Sequence, residues 1–287
     1  RNVIVTILSL MLIFCLGFSC EEPGNKGSAV SGWEKMGEDP EEEDPQKPED
    51  PDKPEPDTPD PDDPYADCWF KTRGIIAGWG DVYAPSSPYK IDYLEIAKEH
   101  GLNTFSIYGP DRNSQTWKDY MAAGEEVGVK FEFEEHMMSF LLPRDLFSTH
   151  PEYFRMNKQG VRVEDANGCP SSEGALEQVY LNAKRLGQSY KPTNHHYYFW
   201  LDDGGDICYC PKCKDYSASE QALMFENKII EALKELDPDA MLAHLAYNNT
   251  TNAPKNVKPA EDIFLEFAPF HRDWSHPLSE TRSEERR

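Results

Sequence analysis

The chain has 287 residues and carries 29 Lys and Arg against 52 Asp and Glu, a formal net charge of −23. No basic stripe occurs along it, so nucleic acid is excluded as an expected partner. Seven cysteines and a strongly acidic, proline-rich stretch divide the sequence into unlike parts.

Residues 1–20 read as an export signal. Arg1 precedes an apolar run, Val3 to Leu16, too short to span a bilayer. The run ends in LGFSC, which resembles a lipobox, so Cys20 is the expected site of lipidation and a membrane anchor. An ordinary signal peptide is the alternative. The first residue is not Met, and a slightly clipped start is expected. Residues 21–64 form an acidic, Pro-rich linker. Between Glu38 and Pro64, 27 residues hold 14 acids, 2 Lys and 9 Pro, a net charge of −12. Such a segment buries too little to offset its ordering entropy, and it is expected to be a disordered, extended spacer.

Residues 65–287 are expected to form one α/β domain. Gly74 to Trp79 reads as a strand. Tyr89 to His100 reads as a helix closed by Gly101. Asn103 to Tyr108 is the second strand, and Ser114 caps a helix through Val127, stopped by Gly128. Val129 to Glu134 alternates as a third strand, and a weak fourth is placed within Val161 to Gly168. Ser171 or Ser172 opens a helix expected to stop at Gly187. His196 to Leu201 is the fifth strand. Ser217 and Glu220 form a capping box for a helix to Leu236, ended by Pro238. Met241 to Tyr247 and Ile263 to Phe267 complete seven strands. Strands and helices alternating at this spacing predict a parallel sheet. A (β/α)8 TIM-type barrel fits best, truncated before its last strand because the charged tail after Leu278 holds none. An open doubly wound sheet is the alternative, although no Gly-rich phosphate loop follows the first strand.

In a barrel, chemistry sits at the C-terminal strand ends. The fifth end carries Asp202 and Asp203, followed by Gly204 and Gly205. A close acid pair pushes one pKa up and leaves a proton donor beside an ionised partner. Glu266 alternates with Leu265 and Phe267 and should point inward, as Glu132 could; a structural ion pair, for instance with Arg272, is equally compatible. Glu135 closes the third strand. Catalytic candidates are thus Asp202, Asp203, Glu266 and Glu135. Trp79, Tyr108, His136, Tyr247, Asn248, His271 and Trp274 are the expected substrate-binding residues, since aromatic faces and polar groups among acids suit a sugar. No cofactor is expected for catalysis. Cys208, Cys210 and Cys213 follow in C-x-C-x-x-C spacing, and with Cys169 they can hold a structural zinc ion; disulfide pairing is an equal alternative in an oxidising compartment.

HPEYFRMNKQG (His150 to Gly160), the Cys-Pro-Ser-Ser run from Cys169, FWLDDGGDICYCPKC, and LAHLAYNNT followed by PKNVKP resemble the domain-of-unknown-function 4838 family. The resemblance runs from about Tyr89 to Leu278. It implies a bacterial, lipid-anchored protein of the cell envelope with a barrel like that of α-glucuronidases, working on a polysaccharide or other glycan. The adjacent aspartates are also similar to those of hexosaminidases that use the substrate's acetamido group. The expected activity is glycoside hydrolysis, with Asp202 or Asp203 as proton donor and Glu266 or Glu135 as base, nucleophile or stabiliser. A glycan-binding protein without catalysis, or a structural envelope lipoprotein, are the alternatives.

Overall fold

The computed structural model describes residues 70–83, 91–203, 205–268 and Ser275. The expected signal, Cys20, the acidic linker, His271, Arg272 and Trp274 lie outside them. The chain divides into residues 1–71 and 72–287, and the architecture below belongs to the second unit.

All strand pairings within the sheets are parallel. Strands β1 (Gly74–Gly78), β2 (Thr104–Tyr108) and β3 (Lys130–Glu132) form one sheet in that order, and β4 (Glu134–His136), β5 (His196–Trp200), β6 (Met241–Ala246) and β7 (Ile263–Phe267) form a second. The helices are α1 (Trp79–Val82), α2 (Tyr93–His100), α3 (Gln115–Glu126), α4 (Met138–Leu141), α5 (Glu173–Ser189) and α6 (Ala218–Lys234). This is a mixed α/β fold built on parallel sheets, as the alternation of elements predicts.

Local chemistry explains most boundaries. The Asp92 side chain accepts from the backbone N–H groups of Leu94 and Glu95, so α2 starts at Tyr93 rather than at Tyr89. Gly101 ends α2 in the left-handed conformation at φ 66°. Ser114 Oγ accepts from Trp117 N at 3.2 Å. At α6 the capping box is complete: Glu220 N donates to Ser217 Oγ, and Ser217 N donates to Glu220 Oε2.

Three expectations need correction. The third strand is two strands, broken at Phe133, whose ring packs with Trp117 and Tyr190. The fourth strand is absent. β4 pairs directly with β5, Glu134 opposite Tyr198 and His136 opposite Trp200, so no strand lies between them. The Val161–Gly168 region instead belongs to an excursion with two isolated antiparallel bridges, Phe154–Gly168 and Met156–Arg162. Asn157 Oδ1 accepts from Gln159 N and Val161 N there, closing a turn rather than extending a strand. Finally, Gly187 does not stop its helix. It is buried within α5, where an added Cβ would lie 2.6 Å from Leu233 Cδ2 of α6. Its role is to let the two helices approach.

Strand alternation sorts the side chains onto two faces. Phe105, Ile107, Phe131 and Phe133 pack against helices in one core cluster, with Trp117 of α3. Tyr197, Phe199 and Leu242 join α5 and α6 in the other. Glu132, Glu134, Tyr198, Trp200 and Glu266 lie close together on the opposite face. Among the described residues no helix is long and apolar enough to cross a membrane.

Candidate active site

A cleft with about 600 Å³ of free space, counted out to open solvent, lies where β4, β5 and β6 end. His136 closes β4, Asp202 and Asp203 follow β5, and Tyr247 to Thr250 follow β6; all line the cleft. Asp202, Asp203, His136, Tyr247 and Asn248 thus share one cleft, whereas Glu266 and Glu135 do not line it. Asp203 is exposed at the rim, and Asp202 is half-buried. Asn248 takes a left-handed backbone at φ 52°, a conformation asparagine tolerates.

Asp202 is held on several sides. Arg144 Nη2 donates to its Oδ2, and its backbone N–H donates to Asn167 Oδ1 at 3.0 Å. Burial raises its pKa from the ordinary carboxylate value, and the charges of Arg144 and His136 oppose that rise. His136 Nδ1 lies 2.5 Å from the Leu201 carbonyl oxygen, which fixes the ring against Trp200 at a centroid distance of 5.4 Å.

A second group of acids lies on the sheet and does not line the cleft. Trp200 Nε1 donates to Glu266 Oε2 at 2.9 Å. Burial pushes the Glu266 pKa to about 7; the Trp200 hydrogen bond pulls it down and the Glu132 charge adds to it. Glu134 is pushed to about 8, by burial first and then by Glu266, against a hydrogen bond from Ser106. Glu132 is buried; it accepts from Asn194 Nδ2 at 2.5 Å and lies 3.4 Å from His196 Nδ1. The floor of the cleft includes Glu226 of α6. It is fully buried and meets His244 Nδ1 of β6 at 2.7 Å. Burial raises its pKa and the imidazole opposes the rise.

Other expected site residues lie elsewhere. Glu135 faces away from Glu134, towards Arg112, whose guanidinium lies over the Tyr190 ring at 3.4 Å. Trp79 stacks on Tyr83 at 4.7 Å and meets Trp117 and Tyr120 edge-on, a packing role beside the first core. Tyr108 is 51% exposed at the end of β2 and does not line the cleft. Arg144, Trp200, Tyr198 and Glu226 were not singled out by the sequence. The i, i+2 spacing of Tyr198, Trp200 and Asp202, and of Glu132, Glu134 and His136, would have put each set on one face. Nothing local marks Arg144.

The four cysteines come together. Cys169, Cys208, Cys210 and Cys213 are buried free thiols whose sulfurs all lie within 4.8 Å of one another.

A family model described as a domain of unknown function, DUF4838, matches residues 75–286. The chain belongs to this DUF4838 family. No curated protein matches the chain in sequence. Among solved structures, this family member is similar to the β-galactosidase of Rahnella sp. R3, at 16% identity and a TM-score of 0.41, over 62% of this chain and 36% of that one. It is also similar to a catalytic mutant of a GH42 β-galactosidase from G. stearothermophilus, at 15% identity and a TM-score of 0.39, over 71% and 41% of the two chains. An α-galactosidase from Thermus thermophilus in complex with stachyose aligns at 11% identity and a TM-score of 0.33, over 60% and 39%. The DUF4838 chain thus spans less than half the length of each of these structures.

Proposed function

We propose that the protein is a glycoside hydrolase acting on a polysaccharide or complex glycan by carboxylate acid/base catalysis. The observation that carries this reading is the contrast between the half-buried acids of the sheet, Glu266 and Glu134, and the ion-paired Asp202 of the cleft. Burial holds the pKa values of Glu266 and Glu134 near 7 and 8, whereas Asp202 is ion-paired with Arg144. A protonated acid near an ionised one is what cleavage of a glycosidic bond requires.

In this reading Glu266 gives its proton to the leaving oxygen. Asp202 and Asp203 stabilise the positive charge that develops on the sugar or activate water. His136, Tyr247 and Asn248 bind hydroxyls at the rim. The Arg144 contact is the reason for moving the donor role from the aspartate couplet to Glu266. The reading extends to a closed (β/α)8 barrel, supported by six parallel strand positions in sequential order. It also extends to a lipid-anchored location at the bacterial cell envelope, supported by the apolar run ending at Cys20 and the acidic stretch after it.

The test is turnover of a glycan panel by the full-length protein and by Glu266→Gln and Asp203→Asn. Hydrolysis by the parent with loss in Glu266→Gln supports the reading. Unchanged turnover in Glu266→Gln removes it. The ion pair between Arg144 and Asp202 favours a second reading, a glycan-binding protein whose acids brace the cleft. Saturable glycan binding without product release from any panel member supports that one instead.

A further inference from the structure

The cysteine cluster carries an inference independent of the sugar chemistry. Cys169 comes from the excursion between β4 and α5, and the other three come from the loop between β5 and α6. Cys169 Sγ lies 3.8 Å from both Cys210 Sγ and Cys213 Sγ. A disulfide needs a sulfur separation of about 2.05 Å. Four thiolates arranged tetrahedrally at about 2.3 Å from zinc lie about 3.8 Å from one another. These two separations match such a shell, and all four sulfurs lie within 4.8 Å of one another.

The surroundings suit the charge such a shell carries. Four thiolates and one divalent ion leave a net negative charge, which needs donors. Met156 N lies 3.3 Å from Cys208 Sγ, and Arg162 Nη1 lies 3.8 Å from it. Ser171 Oγ lies 3.0 Å from Cys213 Sγ. Donors of this kind orient ligands and temper their charge. The loop itself is fixed by Gln221 of α6, whose amide accepts from Cys208 N and donates to the Cys208 and Cys213 carbonyls.

We propose that Cys169, Cys208, Cys210 and Cys213 bind one zinc ion as a closed structural site that builds a wall of the strand-end cleft. Gly168 and Ile207 line the cleft, and each directly precedes a ligand. Gln221 lines it too. Asn167, two residues before Cys169, holds the Asp202 backbone. With four protein sulfurs the ion has no open position, so it does no chemistry on substrate. It ties two separate loops to each other and to the aspartate couplet.

The test is metal analysis of the purified full chain with Cys208→Ser and Cys213→Ser beside the parent. The expected result is one zinc per chain in the parent, most of it lost in both variants. If the variants do not fold, the parent is reloaded with cobalt(II). Strong thiolate-to-cobalt charge transfer with intense visible bands then supports a tetrahedral sulfur site, and the weak bands of an octahedral ion overturn it. Parent protein with no bound zinc, with iron in its place, or with disulfides joining these four residues also overturns the proposal. None of these readouts depends on turnover, so failure of the zinc site and failure of the hydrolase reading are separable.

Discussion

The Trp200 indole N–H donates to Glu266 Oε2 at 2.9 Å, linking β5 to β7 through the acid expected to move a proton. That bond stabilises the charged carboxylate and so lowers the pKa that burial raises. Trp200→Phe removes the donor and keeps an aromatic ring, so Glu266 should hold its proton to still higher pH. The alkaline limb of the pH–activity profile is expected to move up from about 7, with activity retained on the acid side. A limb that stays in place would show that Glu266 is not the proton donor.

Glu134 makes a stability prediction. Its folded pKa is about 8 against an ordinary 4.5, because burial and the Glu266 charge disfavour ionisation. The folded state therefore holds the proton more tightly than the unfolded state. Between pH 4.5 and 8 the unfolded chain ionises first, so stability falls as pH rises through this window and levels off above it. Glu134→Gln removes this penalty. Urea unfolding should find the variant more stable than the parent above pH 8, by on the order of 2 kcal/mol, and little different near pH 4. Equal differences at both pH values would mean that Glu134 is not perturbed in this way.

Glu226 and His244 form a buried pair between α6 and β6. Removing one member strands the other without a partner. Glu226→Leu alone is expected to destabilise by roughly 3–5 kcal/mol, whereas replacing both residues by leucine should be close to neutral. A chemical-denaturation cycle on the two single variants and the double variant reads this directly. Additive losses would mean the pair is not coupled.

What the chain discloses before folding follows the range of the forces involved. Ile263–Phe267 was legible to the residue, since its apolar run follows Glu261 and Asp262 and is soon met by Pro269. The Ser217–Glu220 capping box was legible because both partners lie within one turn. The excursion from His150 to Gly168 was not. Its order comes from distant partners, such as the Arg155–Asp165 ion pair, the bridge from Phe154 to Gly168 and the cysteine cluster. The strand-end position of Asp202 was readable, but its ion pair was not, because Arg144 lies 58 residues away. Glu135 was preferred to Glu134 for its place at the strand end, although parity with Glu132 pointed to Glu134.

The aspartate couplet separates catalysis from bracing. Asp203 is exposed and Asp202 is paired, so their neutral variants should fail differently. Asp202→Asn weakens the contact with Arg144 and should cost about 1–2 kcal/mol of stability in urea unfolding. Asp203→Asn should leave stability within about 0.5 kcal/mol of the parent, as exposed substitutions usually do. If the cleft cleaves glycans, Asp203→Asn lowers kcat on the responsive substrate while the fold is intact. A variant that keeps both its stability and its full kcat would assign Asp203 to the rim alone, and the charge that stabilises the reacting sugar would then have to come from Asp202.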